Sequence, residues 1–357
     1  MGFEIEFYDR EKEIGEVMRI LNAPPNLITF VYGPINSGKS SLMDEVVRRL
    51  TSDYVVFFVD LRTQVVSDVE EFYDVLFSYD AGLRGSITRF SDVISQLISS
   101  AIKMYSGFPL PEDLIERVLR KNRPKNAFNY IFTILKELKS RGKRAVIIMD
   151  EIQTISDLKI DGLLIYELFN FFVTITKRHH LSHVFAVTSD SLFLERVYSE
   201  AMLHGRCRYL LVDDFDYETT VKFLKKYRFK EEEIGLVWEY FGGKPVYLVE
   251  AVRERERIGE FCEEQLRLKV TEIKSMLKRL KELGDSVVIG GEEYEVKYSN
   301  VVSALSMFKD VESVPLEAID EVTKHYLVRS NVMFVEPLSG VIRPQSRLDL
   351  MAIRRIL

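Results

Sequence analysis

Two stretches hold side chains suited to chemistry on a phosphate chain. Gly33-Pro34-Ile35-Asn36-Ser37-Gly38-Lys39-Ser40 fits G-x-x-x-x-G-K-[ST] at every fixed position. In such a loop, backbone N–H groups and a helix N-terminus converge on phosphate oxygens. Gly33 and Gly38 permit backbone angles and a close approach that a Cβ would block. Lys39 would reach the β- and γ-phosphates, and Ser40 would hold Mg2+. The second stretch is Asp150-Glu151, at the end of the apolar run Val146–Met149. Two adjacent acids suit a division of labour. Asp150 would hold Mg2+ through its water shell, while Glu151 would orient and deprotonate an attacking water. The acid pair is a weak pattern alone and a strong one behind a complete phosphate loop.

These residues need particular elements to position them. Leu27–Tyr32 is apolar and β-rich, a strand entering the loop, and Ser41–Leu50 has the spacing of a helix leaving it. Tyr54–Val59 reads as a second buried strand, and Ala145–Met149 as the one that presents the acids. An acid at the C-terminal end of a parallel strand faces the crevice where ligands bind. Val184–Val187 is the next strand and ends in Thr188-Ser189-Asp190. Ser189 or Thr188 would sense a γ-phosphate there, although turn and capping chemistry accounts for the same residues. Gln153 is a candidate for polar support of the acids. Arg208–Val212 is the fifth strand, preceded by Gly205-Arg206. Arg206 would either reach the γ-phosphate or pair with a carboxylate.

Asp9 is placed to cap a helix over Glu11–Leu21. The segment holding it and Arg10 is either a cover for the base side of a nucleotide or an ordinary capped helix. Residues 63–144 are helical in pattern (Val69–Phe77, Phe90–Met104, Pro111–Arg120, Ala127–Arg141), a helical insertion between strands. Beyond Asp213 the strand pattern stops. Three helices follow, over Asp216–Tyr227, Glu231–Tyr240 and Val246–Arg257. Between the last two, Gly242-Gly243 would end one helix and Pro245 begin the next, a turn that lets a small helical lid close on adenine. A long charged helix, Glu260–Leu283, precedes a hairpin signal at Ser286–Val296. Short helices at Val301–Lys309 and Leu316–Thr323, strands at Tyr326–Val335 and Gly340–Arg343, and a last helix at Arg347–Ile356 suggest a winged helix. The expected domains are 1–213 (nucleotide-binding α/β, with the insertion), 214–283 (helical lid) and 284–357 (winged helix).

Composition narrows the class. The 357 residues are 46% hydrophobic and carry a net charge of −6, so a soluble protein with real cores is expected and no global nucleic-acid signature is present. Cys207 and Cys262 lack metal-ligand spacing, which points to a reducing cytoplasm. The acidic start is no secretion leader, and no apolar run nears the roughly 20 residues needed to cross a bilayer. His179 and His183 are spaced i, i+4, but no Cys or carboxylate joins them as a metal set.

Taken in order, Phe7-x-Asp9-Arg10-Glu11, GPINSGKS, AVIIMDE, Thr188-Ser189, Gly205-Arg206, Gly242-Gly243-Lys244-Pro245 and the tail from Arg329-Ser330-Asn331 to Pro344-Gln345-Ser346-Arg347 resemble the archaeal P-loop ATPases. That family is related to the signal-transducing ATPases with numerous domains and, more distantly, to AAA+ proteins and archaeal replication initiators. The resemblance spans nearly the whole chain. It implies an α/β P-loop NTPase core with a five-stranded parallel sheet of order 5-1-4-3-2, ATP or ADP with Mg2+ in the cleft, a helical lid and a C-terminal winged helix. It carries the roles of Lys39, Ser40, Asp150 and Glu151 directly. Arg206 and Pro245 match motifs whose contacts are less settled.

Three functions compete: a slow ATP-hydrolysing switch whose lid or winged helix docks a protein partner, a DNA-binding ATPase, and a nucleotide-binding module without turnover. Residues 271–357 carry a net charge of −1, and Leu316–Lys324 holds Glu317, Asp320 and Glu321 against one lysine. DNA affinity draws on phosphate neutralisation, so charge favours docking over DNA reading. Arg343, Arg347, Arg354 and Arg355 are the candidate exceptions. The carboxylate at Glu151 favours turnover. No Asn-Lys-x-Asp run follows the fourth strand, which favours ATP over GTP.

Overall fold

The computed structural model describes residues 6–62, 66, 68–77, 89–99, 103–111, 114, 118, 123–156, 158, 164–199, 203 and 205–357. Most of the expected helix Pro111–Arg120 lies outside them. The nucleotide-binding half is built on β1 (Ile28–Tyr32), β2 (Tyr54–Asp60), β3 (Met104–Ser106), β4 (Arg144–Asp150), β5 (Ser182–Thr188) and β6 (Cys207–Leu211), a parallel sheet of order β3-β2-β4-β5-β1-β6.

Strands buried on both faces read as unbroken apolar runs, and alternate residues go to opposite sides. Val31, Val56, Ile148, Phe185 and Val187 meet α1 (Glu11–Asn22) and α2 (Lys39–Arg49) in one layer. Phe30, Tyr32, Phe57, Ile147 and Met149 belong to the other layer, against α3 (Val69–Leu76), α4 (Phe90–Ser99), α5 (Arg123–Ser140), α6 (Leu164–Val173) and α7 (Ser191–Ser199). The parallel run brings the C-terminal ends of β1, β4 and β5 to one edge. That edge holds the Gly33–Ser40 loop, Asp150 and Ser189.

Several expectations are corrected by the fold. The sheet has six strands rather than five, and its order departs from 5-1-4-3-2 by the added edge strand β3 beside β2. Its three residues lie in the insertion, where Met104, expected to end a helix, instead opens the strand. Asp9 does not cap α1. Arg10 occupies the cap position in a left-handed conformation, and no side chain caps there.

Beyond Val212 come α8 (Tyr217–Lys226), α9 (Glu231–Phe241), α10 (Pro245–Arg253) and the 26-residue α11 (Ile258–Leu283). The hairpin β7 (Ser286–Ile289)–β8 (Glu292–Glu295) follows, then α12 (Tyr298–Ser306) and β9 (Val314–Pro315). The chain closes with α13 (Glu321–Arg329), β10 (Met333–Glu336), β11 (Val341–Pro344) and α14 (Arg347–Ile356), with β10, β11 and β9 forming an antiparallel sheet. Two further corrections fall here. Leu316–Ala318 is one 3-10 turn, and the helix starts five residues later than Leu316, where Asp320 accepts from the Thr323 N–H at 3.0 Å. The expected strand from Tyr326 shrinks to Met333–Glu336. A short apolar run such as Tyr326–Val328 fits a buried helix end as well as a strand. Residues from α8 through α14, among them Phe223, Phe241, Leu266, Leu305, Tyr326 and Ile353, share a second hydrophobic core.

Candidate nucleotide-binding site

The loop between β1 and α2 has the geometry its glycines predict. A Cβ on Gly33 would stand 2.1 Å from the Val212 carbonyl oxygen, so only glycine lets β1 turn there beside the end of β6. Gly38 takes φ +92 immediately before α2. Lys39 opens that helix and is buried. Its ammonium donates to the carbonyls of Gly33 at 3.0 Å and Pro34 at 2.9 Å. Burial lowers its pKa from the ordinary lysine value to about 8, against the pull of Glu151. Ser37 is fully buried, and its hydroxyl has no partner among the described residues. An orphaned donor inside an anion cradle is what a phosphate oxygen would satisfy.

Strand β4 delivers both acids. Ser40 Oγ donates to Asp150 Oδ2 at 2.6 Å. Burial pushes the Asp150 carboxyl above its usual range, offset in part by that hydrogen bond. A hydroxyl and a carboxylate at this separation form an oxygen pair of the kind Mg2+ takes beside phosphates. Among the described residues no group of three or more His, Cys, Asp or Glu stands ready for a metal.

Glu151 sits at φ 56 just past the strand, nine-tenths buried. Its carboxylate accepts from Arg62, from the Gln153 amide, and from Ser189 Oγ at 3.1 Å. Thr188 Oγ1 in turn donates to Gln153 Oε1 at 2.7 Å. The expected strand-end residues are thus brought together around Glu151. Arg62 was missed as a site residue. Its only signal was its place just past β2, the strand paired in register with β4.

Arg206 is not brought to the site. It is exposed ahead of β6, with its carbonyl accepting from Ile28 N, the first residue of β1. The phosphate loop leaves the far end of β1, about 16 Å away at 3.3 Å per residue. A γ-phosphate contact within this chain is beyond its reach.

The loop is also gripped from distant parts of the chain. Arg10 is buried and donates to the Ser37 carbonyl at 2.8 Å and to the Asp213 carbonyl, while its guanidinium lies 4.5 Å from the Phe215 ring centre. Lys244, at the turn before α10, donates to the Ile35 carbonyl at 3.1 Å and pairs with Asp214 at 3.1 Å. Gln345, just past β11, accepts from the Ile35 N–H at 3.2 Å. The Gly242-Gly243 turn does more than end a helix. A Cβ on Gly243 would fall 1.7 Å from the Phe215 carbonyl oxygen, so glycine is what lets α9 and α10 seat against this segment.

Beside the loop lies a cavity of 710 Å³. Tyr8, Phe215, Phe223 and Pro245 supply apolar and aromatic wall, and Ser41 and Asp44 line its α2 side. The size and lining suit a purine nucleoside. Pro245, Ser41 and Arg10 line this cavity. Asp9 is exposed and is not part of the lining. Pro34 and Asn36 complete the loop, with Asn36 at φ 61.

Comparison with known proteins agrees with this geometry. A family model described as an ATPase domain predominantly from Archaea matches residues 7–251, and one for the C-terminal domain of MJ1010-like uncharacterized ATP-binding proteins matches 259–357. An uncharacterized ATP-binding protein of Pyrococcus abyssi is 47% identical over 352 residues, 98% of each chain. One from Methanocaldococcus jannaschii is 42% identical, covering 99% of this chain and 98% of its own. The solved structure of a Walker-type ATPase of Pyrococcus abyssi matches 98% of this chain and 96% of its own at a TM-score of 0.59, with 19% identity. At that identity the match speaks for the fold.

Proposed function

The chain belongs to the family of ATPase domains found predominantly in Archaea, and from that premise we propose that it is a slow ATP-hydrolysing switch. Lys39 and the loop amides hold the β- and γ-phosphates. Ser40 and Asp150 hold Mg2+, which supplies charge neutralisation along the phosphate chain. Glu151 orients a water for in-line attack on the γ-phosphorus and takes its proton as ADP departs. Arg62, Gln153 and Ser189 fix the carboxylate that does this. We divide the chain as 1–213 for nucleotide, 214–283 as lid and 284–357 as a winged helix, whose helices α12 and α13 precede the hairpin β10–β11. Free Cys207 and Cys262 support a reducing cytoplasm as its setting.

One observation carries the switch. The Ile35 N–H, an amide of the cradle, is held by Gln345 from the C-terminal region. A phosphate that claims this amide displaces Gln345. Other bonds cross the same divide: Ser191 Oγ accepts from Val335 N at 3.1 Å, Lys324 pairs with Glu195 at 2.8 Å, and Arg343 with Asp213 at 2.7 Å. Nucleotide state is thus coupled to how the C-terminal region sits, and a protein partner would read that. DNA is the less favoured reader. Arg343, Arg347 and Arg355 pair with Asp213, Glu312 and Glu263, and Arg354 donates to the carbonyls of Phe308 and Val311.

The test is equilibrium binding and steady-state turnover of ATP with Mg2+. The expected outcome is binding with slow hydrolysis. Binding without turnover would leave the module reading, and tight, salt-sensitive duplex DNA binding lost on Arg343→Ala would favour the DNA reading.

A further inference from the structure

One side chain of the cavity has no task in the account above. Asp44 lies on the cavity face of α2, three residues after Ser41, and it makes no hydrogen bond or ion pair among the described residues. Its neighbour Arg48 pairs with Glu45 at 3.0 Å instead. Ser37, Gly38 and Ser41 stand at the phosphate end, Arg48 and Arg10 supply cations, and Glu6 is the other carboxylate of the lining. Asp44 is the carboxylate that α2 presents to this cavity, whereas Glu6 comes from the segment before α1. Asp44 is exposed at the mouth of the cavity, and partial desolvation raises its carboxyl pKa above the usual range, with the Arg48 charge opposing.

The helix sets a ruler. At 1.5 Å of rise per residue, Asp44 stands about 4.5 Å beyond Ser41 along α2. Ser41 is at the phosphate end, and one sugar's breadth separates an α-phosphate from the ribose hydroxyls. We propose that Asp44 accepts a hydrogen bond from the ribose 2′- or 3′-hydroxyl and makes the site selective for ribonucleotides. This inference rests on the nucleotide reading of the cleft. A carboxylate is a strong acceptor for two vicinal donors, and a hydrogen bond to a charged group is worth more than a neutral one.

The experiment is competition binding on the full chain with Mg2+, using ATP, 2′-deoxy-ATP, 3′-deoxy-ATP and ITP. The wild type is expected to bind ATP about tenfold more tightly than at least one deoxy analogue. Asp44→Ala should erase that difference, and Asp44→Asn, which keeps an acceptor oxygen, should restore part of it. Because Asp44 lies on a helix surface, alanine there preserves the helix, and an unchanged melting transition checks this. Equal discrimination by wild type and Asp44→Ala overturns the proposal. Loss of discrimination against ITP alone also overturns it, because the carboxylate would then be reading the 6-amino group. A wild type that binds no triphosphate removes the nucleotide reading itself, an outcome distinct from the other two.

Discussion

The two sides of the phosphate loop are built by different means. On its floor, the contacts of Lys39 and Ser40 are local or come from another strand of the same sheet. Lys39 bonds back five and six residues, and Ser40 meets Asp150 because β4 ends beside β1 across β5. On its roof, the partners arrive from far away. Arg10 lies 27 residues before Ser37, Lys244 lies 209 residues after Ile35 and Gln345 lies 310 after it. In the proposed function the floor holds and cleaves a phosphate. The roof connects that place to the rest of the chain. Chemistry and coupling are therefore separable, and substitutions should split along the same line.

The largest expected effect is on the floor. Glu151→Gln removes the proton acceptor but keeps the shape, so turnover should fall by about 10²- to 10⁴-fold while ATP affinity holds. A rapid-quench assay with a filter-binding control checks this, and unchanged turnover removes Glu151 from the mechanism. Next comes Lys39. In the free protein its ammonium titrates at about 8, whereas a bound triphosphate favours the charged form. Above pH 8 binding must take up a proton, so ATP affinity should fall by about tenfold per pH unit there and stay level below it. Lys39→Ala should bind more weakly and lose this dependence. A flat profile in the wild type, measured by calorimetry from pH 7 to 9.5, contradicts the assignment.

The smallest effect belongs to the roof. Gln345→Ala deletes a competitor for the Ile35 amide, worth about 1 kcal/mol for one neutral hydrogen bond. ATP affinity should rise about fivefold, with the single-turnover cleavage rate unchanged. Weaker binding would make Gln345 a ligand of the nucleotide rather than its rival, and the floor–roof division would fail.

The same division governs what the sequence makes legible. The floor is written in contiguous residues, so Gly33–Ser40 and Asp150-Glu151 announce their chemistry by spacing. The buried parallel strands are equally plain, because both faces of each are covered. The roof has no such signature. Nothing near Gln345 says that its amide oxygen reaches Ile35, and Gly243 reads as a helix ending until the Phe215 carbonyl is seen against it. Arg62 follows a strand end like many others, and only the β2–β4 register places it on Glu151. Arg206 shows the reverse error. A motif match suggested a catalytic arginine, and strand direction put it at the wrong end of the sheet. The two apolar runs Tyr326–Val328 and Val332–Val335, read together as one strand, hid the boundary between α13 and β10 for a related reason, since burial alone does not distinguish a helix from a strand.

The central claim is that phosphate and Gln345 compete for one amide. Hydrogen exchange across Met333–Gln345 in the Glu151→Gln protein, with and without saturating Mg-ATP, tests it most directly. Faster exchange in this segment with ATP bound is the predicted result. Equal or slower exchange would mean that the C-terminal region stays seated on the loop and that nucleotide does not move it.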